Sequence, residues 1–205
     1  MRHSHLLPLA AAATLAAAPV AAMTVTADTV IDYFDSGAGP IAGPYGIDEN
    51  GDFPVSVPLD VAVDGNAATA LSLPTDSFVT LGFSSATIID GEGNDIFISE
   101  PGEGAELADV FVSSDSGATF TLLGQANGNS LTELDLADIG FTGSVNAVQI
   151  VGLDNGGGSP GFDVAFVQGL EGSVVVDPAP IPLPASAFLL AFGIGAFGFV
   201  RRRTS

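Results

Sequence analysis

Between Met23 and Val200 this chain carries 24 carboxylates and no lysine, arginine or histidine. The basic residues are Arg2 and Arg201, Arg202 and Arg203, and both histidines, His3 and His5, lie beside Arg2. Whatever the middle folds into, no lysine or arginine side chain neutralises a carboxylate there. Self-repulsion of about −24 opposes compaction. Mobile salt or bound divalent cations must therefore offset it. The same charge disfavours nucleic acid and anionic membrane surfaces as partners. Lack of an imidazole in the middle excludes a Ser-His-Asp triad and takes from zinc its usual nitrogen ligand. The chain has no cysteine, so thiol catalysis, thiolate metal sites and disulfides are excluded too. A core of roughly 150 residues can still form unaided.

The middle is rich in Gly, Val, Phe, Thr and Ser, and its short apolar runs are broken by Gly, Asp, Asn and Pro. That pattern predicts an all-β fold, a sandwich or barrel. Strands are expected near residues 54–63, 77–83, 86–89, 96–99, 109–113, 119–123, 131–136, 147–152, 162–167 and 174–176. In DVFVSSDSGATFTLLG two β-rich runs flank Asp115-Ser-Gly117. There the glycine supplies the positive φ that a hairpin requires. LTELDLADIG reads as a helical turn, and residues 35–53 as one long loop. No internal repeat is apparent.

The two ends explain where the basic residues go. MRHSHLLPLAAAATLAAAPVAA has a charged start, an apolar middle and a small-residue exit. That is the pattern of a secretory signal peptide over 1–22, cleaved between Ala22 and Met23. At the other end, Ile181, Pro182, Leu183, Pro184 and Ala185 lead into an apolar run, 185–200, and then Arg201, Arg202 and Arg203. With Ile181 the run approaches the length of a bilayer crossing, and the arginines place the last residues, 201–205, in the cytoplasm. Pro182 and Pro184, on either side of Leu183, keep the segment before the run extended. The order of IPLPA, apolar span and arginine cluster resembles the PEP-CTERM sorting signals, in their VPLPA-CTERM form, with isoleucine in the leading position. The resemblance implies Gram-negative export and handling by an exosortase-type enzyme. It also implies an inner-membrane anchor before processing, then release to the cell surface or matrix. The chain thus divides into signal peptide 1–22, β-domain 23–176, linker and sorting motif 177–184, transmembrane helix 185–200 and tail 201–205.

One stretch concentrates oxygen ligands: Asp90, Glu92, Asn94 and Asp95 in the turn of DGEGNDIFISE, with Glu100 ending the strand that follows. Oxygen-rich turns of this kind suit hard cations such as calcium. An EF-hand is excluded because Asp95 stands where that loop requires glycine and Glu100 is misplaced. A single copy of DGEGNDIFI cannot build the stacked nonapeptide architecture it otherwise matches. DGEGNDIFISEPGEGAELADVFVSSDSGATFTLLG, with the later VNAVQIVGLDNGGGSPGFDVAFVQG, resembles the galactose-binding-like jelly rolls of bacterial surface proteins. The resemblance covers roughly 80–170. It implies a jelly-roll β-sandwich stabilised by calcium, with Asp90, Asn94, Asp95, Glu100 and Asp163 as ligands and Asp154 as a weaker one. The expected function is that of an exported structural or adhesive surface protein, non-catalytic. The alternative is a carbohydrate-binding module for extracellular polysaccharide. A secreted carboxylate-dependent hydrolase ranks third, because close acid pairs are inevitable among 24 carboxylates.

Overall fold

The computed structural model describes residues 24–101, 106–128, 131–153, 160–170 and 174–175. The expectations for the two ends lie outside these residues. They are the signal peptide with its junction at Ala22 and Met23, and the sorting motif of Ile181, Pro182, Leu183, Pro184 and Ala185. The apolar span 185–200 and Arg201, Arg202 and Arg203 lie outside as well. Among the described residues, no helix is long and apolar enough to cross a membrane.

In chain order the strands are β1 Thr24–Thr26, β2 Thr29–Phe34, β3 Tyr45–Ile47, β4 Val55–Ser56, β5 Ala70–Leu73, β6 Phe78–Gly82, β7 Thr87–Ile89 and β8 Ile96–Ser99. There follow β9 Leu107–Ser113, β10 Thr121–Asn127, β11 Leu131–Leu134, β12 Ser144–Val145, β13 Ala147–Gly152, β14 Phe162–Val164, β15 Phe166–Leu170 and β16 Val174–Val175. The largest sheet has the order β10-β9-β13-β6-β2. Three others run β1-β15-β8-β11, β14-β5-β3-β4 and β12-β7-β16. Every pairing among them is antiparallel.

Alternation along the strands makes this an all-β sandwich. Val79 and Leu81, Val110 and Val112, and Val148 and Ile150 point inward from the five-stranded sheet. They meet Ile96, Ile98 and Val167 of the sheet containing β8, and Leu71, Leu73, Phe162 and Val164 of the sheet containing β5. Successive side chains on a strand face opposite ways, so Phe78, Thr80, Asp109, Phe111, Gln149 and Val151 stand on the other, outer face of the large sheet.

Four expectations are corrected. The predicted strand over 54–63 is only β4, followed by a 3₁₀ turn over Leu59–Ala62. Pro58 has no N–H to continue a ladder, and the turn buries Val61 and Ala62 instead. The predicted loop 35–53 contains β3. Gly46 lets that strand lie against β5: a Cβ there would sit 1.9 Å from the Ala70 carbonyl oxygen. LTELDLADIG is half strand and half turn, with β11 preceding a 3₁₀ turn over Leu136–Ile139. Asp135 caps that turn by accepting from the Ala137 amide at 2.8 Å. Finally, β14 and β15 are separate strands broken at Ala165 and belong to different sheets.

The hairpin expected at Asp115-Ser-Gly117 is present, joining β9 and β10, with Gly117 at φ +91°. Asp115 organises its tip. Its carboxylate accepts from the Thr119 amide, the Thr119 hydroxyl and the Ser113 hydroxyl. These bonds favour the ionised form and bring its pKa down to about 2. A depressed carboxylate contributes stability that is full above its ordinary pKa of 3.8 and is lost as pH falls toward about 2. Melting profiles of wild type and Asp115→Asn should accordingly differ most above pH about 4 and converge by pH about 2. A gap that persists unchanged at the acid end contradicts this role.

Candidate metal centre

The inward rows of β8 and β9 each end in a glutamate. On β8 the row is Ile96, Ile98 and then Glu100; on β9 it is Glu106 and then Ala108, Val110 and Val112. All seven are buried. The two strands belong to opposing sheets, so the glutamates close the same end of the core from opposite sides. Asp163, at the centre of β14, is the third member. Its register partner on β5 is Ser72, whose hydroxyl donates to the Asp163 carboxylate. The Ala165 amide donates to the Ser99 carbonyl at 3.0 Å and ties the β14–β15 junction to the end of β8. The Glu106 carbonyl accepts from the Gly128 amide, which fixes the start of β9.

One carboxylate oxygen from each of Glu100, Glu106 and Asp163 lies within 4.8 Å of the others. Their exposures are 4%, 1% and 0%. Three like charges so close and so buried cannot all remain ionised without a compensating cation, and the domain contains no basic residue to supply one. The donor set fits a hard cation. Calcium–oxygen distances of about 2.3–2.6 Å place ligands on one ion up to about 5 Å apart, which matches the observed spacing. Glu100, Glu106 and Asp163 are the residues that would hold it.

Tyr45 lies within electrostatic reach of Asp163 and Glu106, and Tyr33 lies near Tyr45. Tyr45 is fully buried and donates to the Pro160 carbonyl at 2.7 Å. Burial, then the charges of Asp163, Tyr33, Asp35 and Glu106, push its phenol well above the usual range. Tyr45 is therefore a neutral hydrogen-bond donor facing an anionic site. Burial and then Asp35 push Tyr33 up to about 12, and its buried hydroxyl oxygen has no hydrogen-bond partner among the described residues. An orphaned hydroxyl of this kind suits an ordered water.

The other expected ligands go elsewhere. Asp90 and Asp95 gather with Asp135, again with one carboxylate oxygen from each within 4.8 Å of the others, and not with Glu100 and Asp163. Asp95 is buried, and its two oxygens accept from the Gly91 and Leu136 amides, both at 3.0 Å. Burial raises its pKa against the opposing pull of those two amides, and the charges of Asp135 and Asp90 add smaller upward pushes. Asp95 thus staples the acidic turn to the 3₁₀ segment after β11. The Asn94 amide donates to Glu133 at 2.8 Å, and Glu92 is exposed. Asp154 lies outside the described residues. Glu106, which is not among the expected ligands, completes the group with Glu100 and Asp163.

Two surface features complete the picture. A cleft of about 590 Å³ opens beyond the end of β6 and includes Thr29, Ser84, Ser85, Thr87, Ser116 and Asn146. On the outer face of the large sheet, the rings of Phe34 and Phe78 stack at 5.7 Å with an interplanar angle of 26°. The residues in register beside them are Val151, Asp109 and Gln125.

No protein-family model matches the chain, and no curated protein does. Solved structures that resemble it include a truncated AlyQ with CBM32 and alginate lyase domains. That match has 16% identity and a TM-score of 0.43, and covers 80% of this chain. The chain spans only 37% of that protein. A second is the family 32 CBM of Clostridium perfringens NanJ, solved in complex with galactose. Here the identity is 13% and the TM-score 0.39, with 73% of this chain and 92% of that one covered. A third is a chitosan-binding module of a chitosanase/glucanase from Paenibacillus sp. IK-5. It has 18% identity and a TM-score of 0.38, over 53% of this chain and 81% of that one. Likeness at this level carries nothing about what this chain binds.

Proposed function

We propose that this chain is an exported, non-catalytic surface or matrix protein whose β-sandwich is held by one calcium ion bound to Glu100, Glu106 and Asp163. The observation that carries the reading is three buried carboxylates, mutually within 4.8 Å, in a domain without a basic residue. The ion neutralises the end of the core and joins β8, β9 and β14, which belong to three different sheets. Export supplies the setting: a signal peptide cleaved after Ala22 delivers the domain to a calcium-containing exterior. The tail from Ile181 to Ser205 then holds the chain at the inner membrane for an exosortase-type enzyme, which reads the extended segment around Leu183. A crystal of the protein grown with calcium tests the reading by the density between the three carboxylates.

Carbohydrate binding is the second reading, favoured by the outer face of the large sheet. Sugar rings need a flat apolar surface with polar groups beside it. Phe34 and Phe78 supply the surface, and the amides of Gln125 and Gln149, held by Asp109 and Thr80, lie alongside.

A further inference from the structure

The outer face of the five-stranded sheet is unusual for so charged a protein. Phe34 and Leu122 are 49% exposed and Ile31 is 43% exposed. All three belong to the sheet's two edge strands, β2 and β10. Ile31 sits at the register shift between Val30 and Asp32, and the bulge turns it onto the outer face. Its side chain there covers Gly82, where a Cβ would meet Ile31 Cδ1 at 2.8 Å. Register then defines two adjacent rows across the sheet. One reads Phe34, Phe78, Val151, Asp109 and Gln125. The other reads Asp32, Thr80, Gln149, Phe111 and Leu122. Each row joins aromatic or apolar side chains to a carboxylate and an amide.

Charge selects what can lie there. Polyanions and anionic lipid headgroups meet a domain of about −24 and are repelled. A second copy of the chain brings the same charge with it. An uncharged polymer gains nothing from Asp32 and Asp109. A polymer of cationic sugars gains twice, since its ring faces are apolar and its amines are positive. We infer that this face binds an amino-sugar polymer, stacking its rings on Phe34 and Phe78 and pairing its ammonium groups with Asp32 and Asp109. The inference rests on the carbohydrate-binding reading and adds the ligand's class and the surface that takes it.

Retention of the full chain on immobilised β-1,4-linked polyglucosamine tests it. The comparison supports are the fully N-acetylated polymer, a neutral glucan and polylysine. In mildly acidic buffer, where the sugar amines are protonated, binding to polyglucosamine should be tightest of the four and should weaken as salt rises. Phe34→Ala should weaken it by up to about tenfold, the equivalent of one lost stacking contact. Asp109→Asn should weaken it severalfold and flatten the salt dependence. Equal retention on polylysine, insensitive to Phe34→Ala, would reduce the effect to bulk charge and overturn the inference. Tighter binding to the acetylated polymer or the glucan overturns the ligand class while leaving carbohydrate binding in place. Silence on every glycan overturns both. Self-association abolished by Phe34→Ala, without glycan retention, assigns the face to a second copy and also overturns it.

Discussion

Glu106→Gln should reverse its effect on stability when calcium is removed. In excess chelator the variant should melt above wild type; in excess calcium it should melt below. Glutamine keeps the shape of the side chain and deletes one charge. Without the ion, wild type must bury three mutually repelling carboxylates or protonate some of them, and the deletion relieves that cost. Deleting one of several buried like charges removes its desolvation cost and its repulsion of the other two, so the effect without the ion is a gain in stability. With calcium present, the same deletion removes a charged ligand, and calcium affinity depends on ligand charge count. The gain on adding calcium should then shrink to a small part of the wild-type gain. A structural role for Glu106 without an ion gives no such reversal, because the variant would be destabilised in both conditions. Thermal melts of both proteins in both buffers decide the matter.

The second large effect is that of the ion itself. A ligand that binds only the folded state adds about 2.7 kcal/mol at a hundred times its Kd and about 4.1 kcal/mol at a thousand times. At about 2–4 °C per kcal/mol for a domain of this size, stripping calcium should lower Tm by about 5–15 °C. Magnesium should restore less of the loss, since it keeps its own waters and demands a tighter octahedral shell. Sodium chloride at matched ionic strength separates site binding from general screening. Screening relaxes the repulsion of all the carboxylates together, with a Debye length of about 10 Å at 0.1 M. If sodium restores the melt as fully as micromolar calcium does, screening alone offsets the charge and the metal centre is not needed.

Part of this was legible in the sequence. The alternating runs of β6, β8, β9 and β13 mark the all-β fold, and Glu100 and Asp163 are among the candidate ligands that the sequence offers. Of the turn residues Asp90, Glu92, Asn94 and Asp95, Asp90 and Asp95 gather with Asp135, and composition alone does not say whether the oxygens of a glycine-rich acidic turn face an ion or its own amides. In this turn Asp95 faces amides. Glu106 was hidden in PGEGAEL, which reads as another loop. Its signal was phase: counted back by two from Val112, Val110 and Ala108, position 106 falls on the core side of the strand. An acid in step with a buried row is a stronger pointer than an acid in a turn. The same count forward from Ile96 and Ile98 reaches Glu100. The β5 segment ALSL has no β-branched residue and is buried at all four positions, so neither propensity nor alternation marked it. The platform at Phe34 was missed with β2, whose bulge breaks the period of two.

Anomalous scattering from a crystal grown in calcium tests the central claim most directly. One peak is expected within about 2.3–2.6 Å of oxygens from Glu100, Glu106 and Asp163, replaced by a stronger one on soaking with a heavier divalent ion. Ordered wild-type density with those three side chains in place and only water between them, at millimolar calcium, would contradict the account.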